Sequence, residues 1–126
     1  MSMDKWQAIH DFWSGFGIPA YDENSVPDDA VMPYITYEAE IGAIDALVNL
    51  TASVWYKSMS WSEISRKALQ IGLAINGNGN GCYLKKIDGG YMLLSQGSPF
   101  AQRLDSGDDR IRRIYFNIQA EFLTAN

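Results

Sequence analysis

A nucleophilic or acid–base mechanism in this chain would depend first on His10 and Cys82, its only histidine and only cysteine. Neither has the partners such chemistry needs. Cys82 has no second histidine to draw off its proton, and the GxSxG, HExxH and CxxC spacings are absent. It reads as a small buried hydrophobe at the start of a strand. His10 lies one helical turn from both Trp6 and Trp13, which gives it a structural or surface role. Glu38 and Glu40 are two residues apart and so share one face of a strand. Such a pair can exchange protons with a substrate, but it serves equally as a solvated or subunit-facing surface, and the second reading is preferred. No catalytic residue is assigned, and the chain is not read as an enzyme.

Binding chemistry is equally sparse. Asp22, Glu23, Asp28 and Asp29 invite a calcium reading, yet they lack the alternating oxygen ligands and closing glutamate of an EF-hand loop. No metal site is assigned. The run Asn76–Gly81, NGNGNG, resembles a phosphate loop only in glycine content. That loop follows a strand and ends in Lys-Ser/Thr, whereas this one follows a helical pattern and leads into Cys82-Tyr83. It reads as a helix-to-strand connection, and no cofactor is expected. Arg110, Arg112 and Arg113 form the one basic cluster, and Asp108 and Asp109 beside them suggest a neutralised strand entrance rather than a phosphate clamp.

Charge bears on partners. The net charge is −5, and all of it lies in residues 1–30, where six acids face Lys5 alone. The remainder balances nine acids against nine bases. A sequence-specific nucleic-acid binder needs a basic stripe to neutralise phosphates, and none is present. No run of about 18 apolar residues exists to span a bilayer. The opening MSMDKWQAIH lacks the basic start and apolar core of a secretory signal, and one unpaired cysteine suits a reducing compartment, so a cytosolic location is expected.

The elements that would hold these residues follow from hydrophobic period. Trp6, Ile9, Phe12, Trp13 and Phe16 fall near helical spacing, with Ser2 or Asp4 as cap and Gly15 and Gly17 as stop. The aromatic load packs either across a sheet or into a subunit contact. Residues 17–33 read as a polar, proline-punctuated loop. Tyr34–Ile41 and Val48–Tyr56 alternate with period two, and the short link Gly42–Leu47 makes them an antiparallel hairpin. Ser60 and Glu63 have capping-box spacing ahead of a helix whose stripe is Ile64, Ala68, Ile71 and Ile75. Cys82–Ile87 and Tyr91–Ser95 flank Asp88-Gly89-Gly90 as a second hairpin, and Gly97–Asp109 reads as an irregular loop. In the last strand Ile114, Phe116, Ile118, Ala120 and Phe122 point one way, and Arg113, Tyr115, Asn117, Gln119 and Glu121 the other. The expected architecture is one α+β domain over residues 1–126 in the order α-β-β-α-β-β-β. It is a two-layer sandwich with two helices on one face of a five-stranded, mainly antiparallel sheet.

Four phrases in this frame resemble the tail terminator (minor capsid, or tail completion) proteins of long-tailed bacteriophages and prophages. They are Pro33-Tyr34-Ile35-Thr36-Tyr37; Val54-Trp55-Tyr56 ahead of Ser60-Trp61-Ser62-Glu63; Gly97-Ser98-Pro99-Phe100-Ala101-Gln102; and Ile114-Tyr115-Phe116-Asn117-Ile118. They extend over residues 33–123; the first helix agrees in position only, and NGNGNG is more glycine-rich than the pattern. The resemblance implies a homohexameric ring that caps the head-proximal end of a tail tube, stops its polymerisation and joins it to the head connector. Its partners would be further copies of itself, the major tail tube protein and a head-completion protein, with DNA passing through the lumen. The site would be the host cytoplasm during assembly and then the virion tail. Trp55, Trp61, Phe100, Arg103 and Arg112 are the candidate contacts for subunits and tube. A head-closure or tail-tube protein, or a small bacterial ligand-binding domain, are the competing readings.

Overall fold

The computed structural model describes residues 3–38 and 47–124. Helix α1 spans Lys5–Ser14, strand β1 Ala20–Asp22, β2 Tyr34–Tyr37 and β3 Leu47–Lys57. Helix α2 follows at Ser62–Ile75, then β4 Tyr83–Ile87, β5 Gly90–Leu104 and β6 Ile111–Thr124. The strands form one six-stranded sheet in the order β1-β2-β3-β6-β5-β4. The α+β class is as expected, but the strand count is six, and β1 pairs parallel with β2 while the other pairings are antiparallel. The missed strand lies inside the expected loop 17–33. Three residues are too few to display a period, and only its pairing with Ile35–Tyr37 makes Ala20–Asp22 a strand.

At the centre β3 and β6 pair without a break from Leu47↔Glu121 to Lys57↔Ile111. Their alternation resolves as read. Leu50, Ala52, Val54 and Tyr56 face Ile114, Phe116, Ile118, Ala120 and Phe122 on one buried side. Both helices cover that side: Phe116 meets Trp13 of α1 at 6.4 Å and Phe100 at 5.3 Å between ring centroids, and Phe100 in turn abuts Gly72 of α2. The sheet curls around α1, which touches both edge strands, β1 and β4. Among the described residues no helix lies on the other side of the sheet.

The Asp4 carboxylate caps α1 by accepting from the Gln7 N–H at 2.8 Å; the alternative cap, Ser2, lies outside the described residues. Ile9, Phe12, Trp13 and, past the helix end, Phe16 are buried, but Trp6 of the expected stripe is 56% exposed. The hairpin pairing of β2 with β3 is present. Ala39–Ile41 of the expected strand, Glu40 among them, and residues 42–46 of the link lie outside the described residues.

Two local expectations are corrected. The capping box does not form: Trp61 is the N-cap of α2 and makes no side-chain cap. Ser60 Oγ instead accepts from the Ser62 N–H, and Ser58 Oγ accepts from the Ser60 N–H, a serine turn that competes with the box and shifts the start by one residue. The segment 97–109 is mostly strand. Between Gln96↔Ile118 and Ala101↔Phe116, the four residues 97–100 oppose Asn117 alone, and β5 then pairs on to Leu104. Pro99 has no N–H to give a ladder, so the chain bulges around it, and Asn117 Nδ2 donates to the Pro99 carbonyl at 3.0 Å.

The NGNGNG run is an ordered exit from α2. Gly77, Asn78, Gly79 and Gly81 all have positive φ, and the Asn78 and Gly81 N–H groups donate to the Leu73 and Asn76 carbonyls. A Cβ on Gly77 would lie 2.1 Å from the Cys82 carbonyl oxygen, whereas one on Gly79 meets nothing within 4 Å. Gly79→Ala therefore bears only backbone strain, about 1–2 kcal/mol, and Gly77→Ala adds a clash with backbone. Urea denaturation should show the larger loss for Gly77→Ala; equal losses would refute this account of the turn.

Candidate interaction surface

The five candidate contact residues separate into three places. Trp61, Arg103 and Arg112 come together, Phe100 fills the β5 bulge, and Trp55 stands on the uncovered side of the sheet. Alternation explains the split: neighbours Arg112 and Arg113 on β6 must point to opposite faces. Arg112 sits across from Tyr56 on the helix side, and Arg113 across from Trp55 on the open side.

On the helix side, the guanidinium of Arg103 lies 4.7 Å from the Trp61 ring centre and that of Arg112 5.3 Å. Arg112 is clamped by carbonyls: Nη1 donates to Asp109 O and Nη2 to Met59 O, each at 2.9 Å. Its Nε is buried and has no acceptor among the described residues. Arg103 is exposed, and among the described residues its side chain stacks on Trp61. These three side chains line a recess of about 340 Å³ together with Leu104, Asp105, Ser106 and Ile111. Asp105 accepts from the Gly107 N–H at 2.8 Å and forms no ion pair with either arginine.

On the open side, Arg113 stacks 4.6 Å over Trp55 and 5.6 Å over Tyr115, and its Nε donates to Ser53 Oγ at 3.0 Å. Trp55 Nε1 donates to Thr36 Oγ1, also at 3.0 Å. Of the three clustered arginines, Arg110 alone is neutralised by an acid among the described residues. It forms a two-point pair with Asp108, which holds that carboxyl below its usual range. The neutralised entrance is therefore one residue wide.

Phe100 rests half-buried between Gly72 and Phe116. Next to it, Leu69 and Leu73 of α2 are exposed and line a groove of about 380 Å³ with Ala68 and Gln96. On the open side, cross-strand partners Leu84, Leu93 and Leu47 share one row with Glu121, and Tyr91 and Leu123 share the next. Leu47, Leu84, Tyr91 and Leu123 are all exposed. Sequence reading missed these residues. Leu69 and Leu73, four apart on the polar side of α2, were the available signal.

The reactive residues do not converge. His10 is held at both ring nitrogens, Nδ1 2.8 Å from the Tyr37 hydroxyl and Nε2 3.2 Å from Ser14 Oγ. Burial, and then the Asp22 charge, raise the Tyr37 phenol above its ordinary value, so it stays protonated in this pair. Cys82 precedes β4 and is half-exposed, not the buried strand residue expected. Glu38 Oε1 accepts from the Thr51 N–H at 3.2 Å. Among the described residues, no three His, Cys, Asp or Glu side chains gather as metal ligands would, and no helix is long and apolar enough to cross a membrane.

No protein-family model matches the chain, and no curated protein matches it either.

The contrast between the arginines is measurable. Arg113→Ala strips the donor from Ser53, which is 3% exposed, and should cost about 1–2 kcal/mol. Arg110→Ala removes a solvent-exposed pair and should change stability much less. Paired urea titrations check this ranking, and a reversed order would refute it.

Proposed function

We propose that the chain is a structural subunit of a phage tail, forming a ring that caps the head-proximal end of the tail tube and joins it to the head connector. The reading does not include catalysis. Its phage content rests on the resemblance of residues 33–37, 54–63, 97–102 and 114–118. Those phrases fall on β2, on β3 with the start of α2, on the β5 bulge and on β6, which are contiguous across the middle of the sheet.

The observation that carries the assembly reading is the amount of interaction chemistry left at the surface. Among the described residues no layer covers one sheet face, and leucines and a tyrosine stand exposed along its β3, β4, β5 and β6 rows. Contiguous exposed apolar groups rimmed by polar ones mark a protein contact. Tryptophan and arginine, the residues most enriched at energetic hot spots, also meet at the Trp61 recess. A ring needs a heterologous contact, in which two different surfaces meet and close, and the chain offers more than one surface for it.

The deciding experiment is electron microscopy of particles assembled without this protein. Overlong or headless tails are the expected result. Normal virions would end the reading, and loss of tails altogether would point instead to a tail-tube protein.

A further inference from the structure

We propose that the Trp61–Arg103–Arg112 recess is a carboxylate receptor, and that its occupant is the Asp28-Asp29 turn of a second copy of this chain. The inference rests on the assembly reading above and names the contact that would build the ring.

The receptor half follows from how the guanidinium groups are used. Stacking on an indole occupies the flat face of a guanidinium and leaves its edge donors free for two-point binding of a carboxylate. Arg103 is in that state: stacked at 4.7 Å, exposed, with no acceptor for its guanidinium among the described residues. Arg112 adds a second positive charge whose direction is fixed by the Asp109 and Met59 carbonyls. Those carbonyls are neutral, so its charge is bonded but not balanced. Its Nε lies buried without an acceptor, and a partly desolvated, unbalanced charge of this kind is stabilised by an incoming anion. Asp105, the one acid among the residues lining the recess, accepts from the Gly107 N–H through Oδ1 and pairs with neither arginine.

The occupant half follows from the charge distribution. The acids of residues 1–30 face Lys5 alone. Asp28 and Asp29 are exposed, form no ion pair among the described residues, and sit in a turn closed by the Ala30 N–H donating to the Pro27 carbonyl at 3.1 Å. Adjacent carboxylates on a closed turn match adjacent guanidinium groups in a recess. Within one chain this match is not made: among the described residues no ion pair joins Asp28 or Asp29 to an arginine, and Ala30–Met32, next to the turn, line a hollow with Lys57, Arg110 and Ile111. The acidic turn precedes β2 and Arg103 lies near the end of β5, so a contact between copies joins two different surfaces; made in one direction only, such a contact closes into rings.

The test uses sedimentation equilibrium of the full chain at low and high salt. The wild type should self-associate, and less strongly as salt screens the pairs. Arg103→Glu, at an exposed position, should weaken association roughly tenfold or more, and so should Asp28→Lys/Asp29→Lys. An equimolar mixture of the two variants should recover it, because each recess then meets a turn of opposite charge. Unchanged association in Arg103→Glu, or no recovery in the mixture, overturns the receptor while leaving a ring built on other surfaces. A wild-type chain that is monomeric at millimolar concentration also overturns it, and the tail reading then stands or falls on the particles assembled without the protein. Circular dichroism confirms that each variant is folded before its association is scored.

Discussion

The long antiparallel pairing of β3 with β6 is the constraint on which the other elements depend. It joins residues 47–57 to residues 111–121, between 54 and 74 positions apart, so it closes the whole chain between them into one loop. Closing a loop of that size costs conformational entropy that only a long ladder and a buried face can offset. The buried face is supplied by Leu50, Ala52, Val54 and Tyr56 against Ile114, Phe116, Ile118, Ala120 and Phe122. Phe116 sits at its centre, in ring contact with Trp13 from one end of the chain and with Phe100 from the β5 bulge. Helix α1, the bulge and the central ladder therefore meet at one aromatic side chain. Everything on the open side is positioned as the reverse of this burial.

That dependence explains which parts of the fold were legible. The two helices, the β2–β3 pairing, the Asp88–Gly89 hairpin and the faces of β6 all advertise themselves through period, because each buries one side over many residues. Strand β1 and the second half of β5 do not. Ala20–Asp22 is strand only because Ile35–Tyr37 lies next to it, and Gly97–Phe100 disguises the continuity of β5 by bulging. Local serine hydrogen bonds likewise displaced the expected Ser60/Glu63 cap. Each difference is a case of tertiary pairing or short-range competition overriding a pattern visible in one dimension.

The candidate contacts were legible to a different degree. The candidate contacts Trp61, Arg103 and Arg112 come from widely separated stretches, and the fold brings them into one recess. Nothing in the spacing of 61, 103 and 112 announces this; it results from the turn after β3, the end of β5 and the start of β6 lying at the same end of the sheet. The other two, Trp55 and Phe100, go elsewhere. Trp55 is part of an open-face stack with Arg113 and Tyr115, while Phe100 spends much of its surface on α2 and Phe116.

Alternation at the start of β6 links these surfaces to the core. Ile111, Arg112, Arg113 and Ile114 are consecutive, yet Arg112 faces the Trp61 recess, Arg113 faces the Trp55 stack, and Ile114 enters the core. A register slip of one residue would exchange the two arginines and bury a charge where Ile114 now sits, which the core cannot accommodate. The packing of Phe116 and Ile118 thus sets the register that aims both guanidinium groups. The recess and the open-face stack are held in place by the same ladder, so whichever surfaces bind partners, their relative orientation is fixed by the most buried strand pair in the molecule.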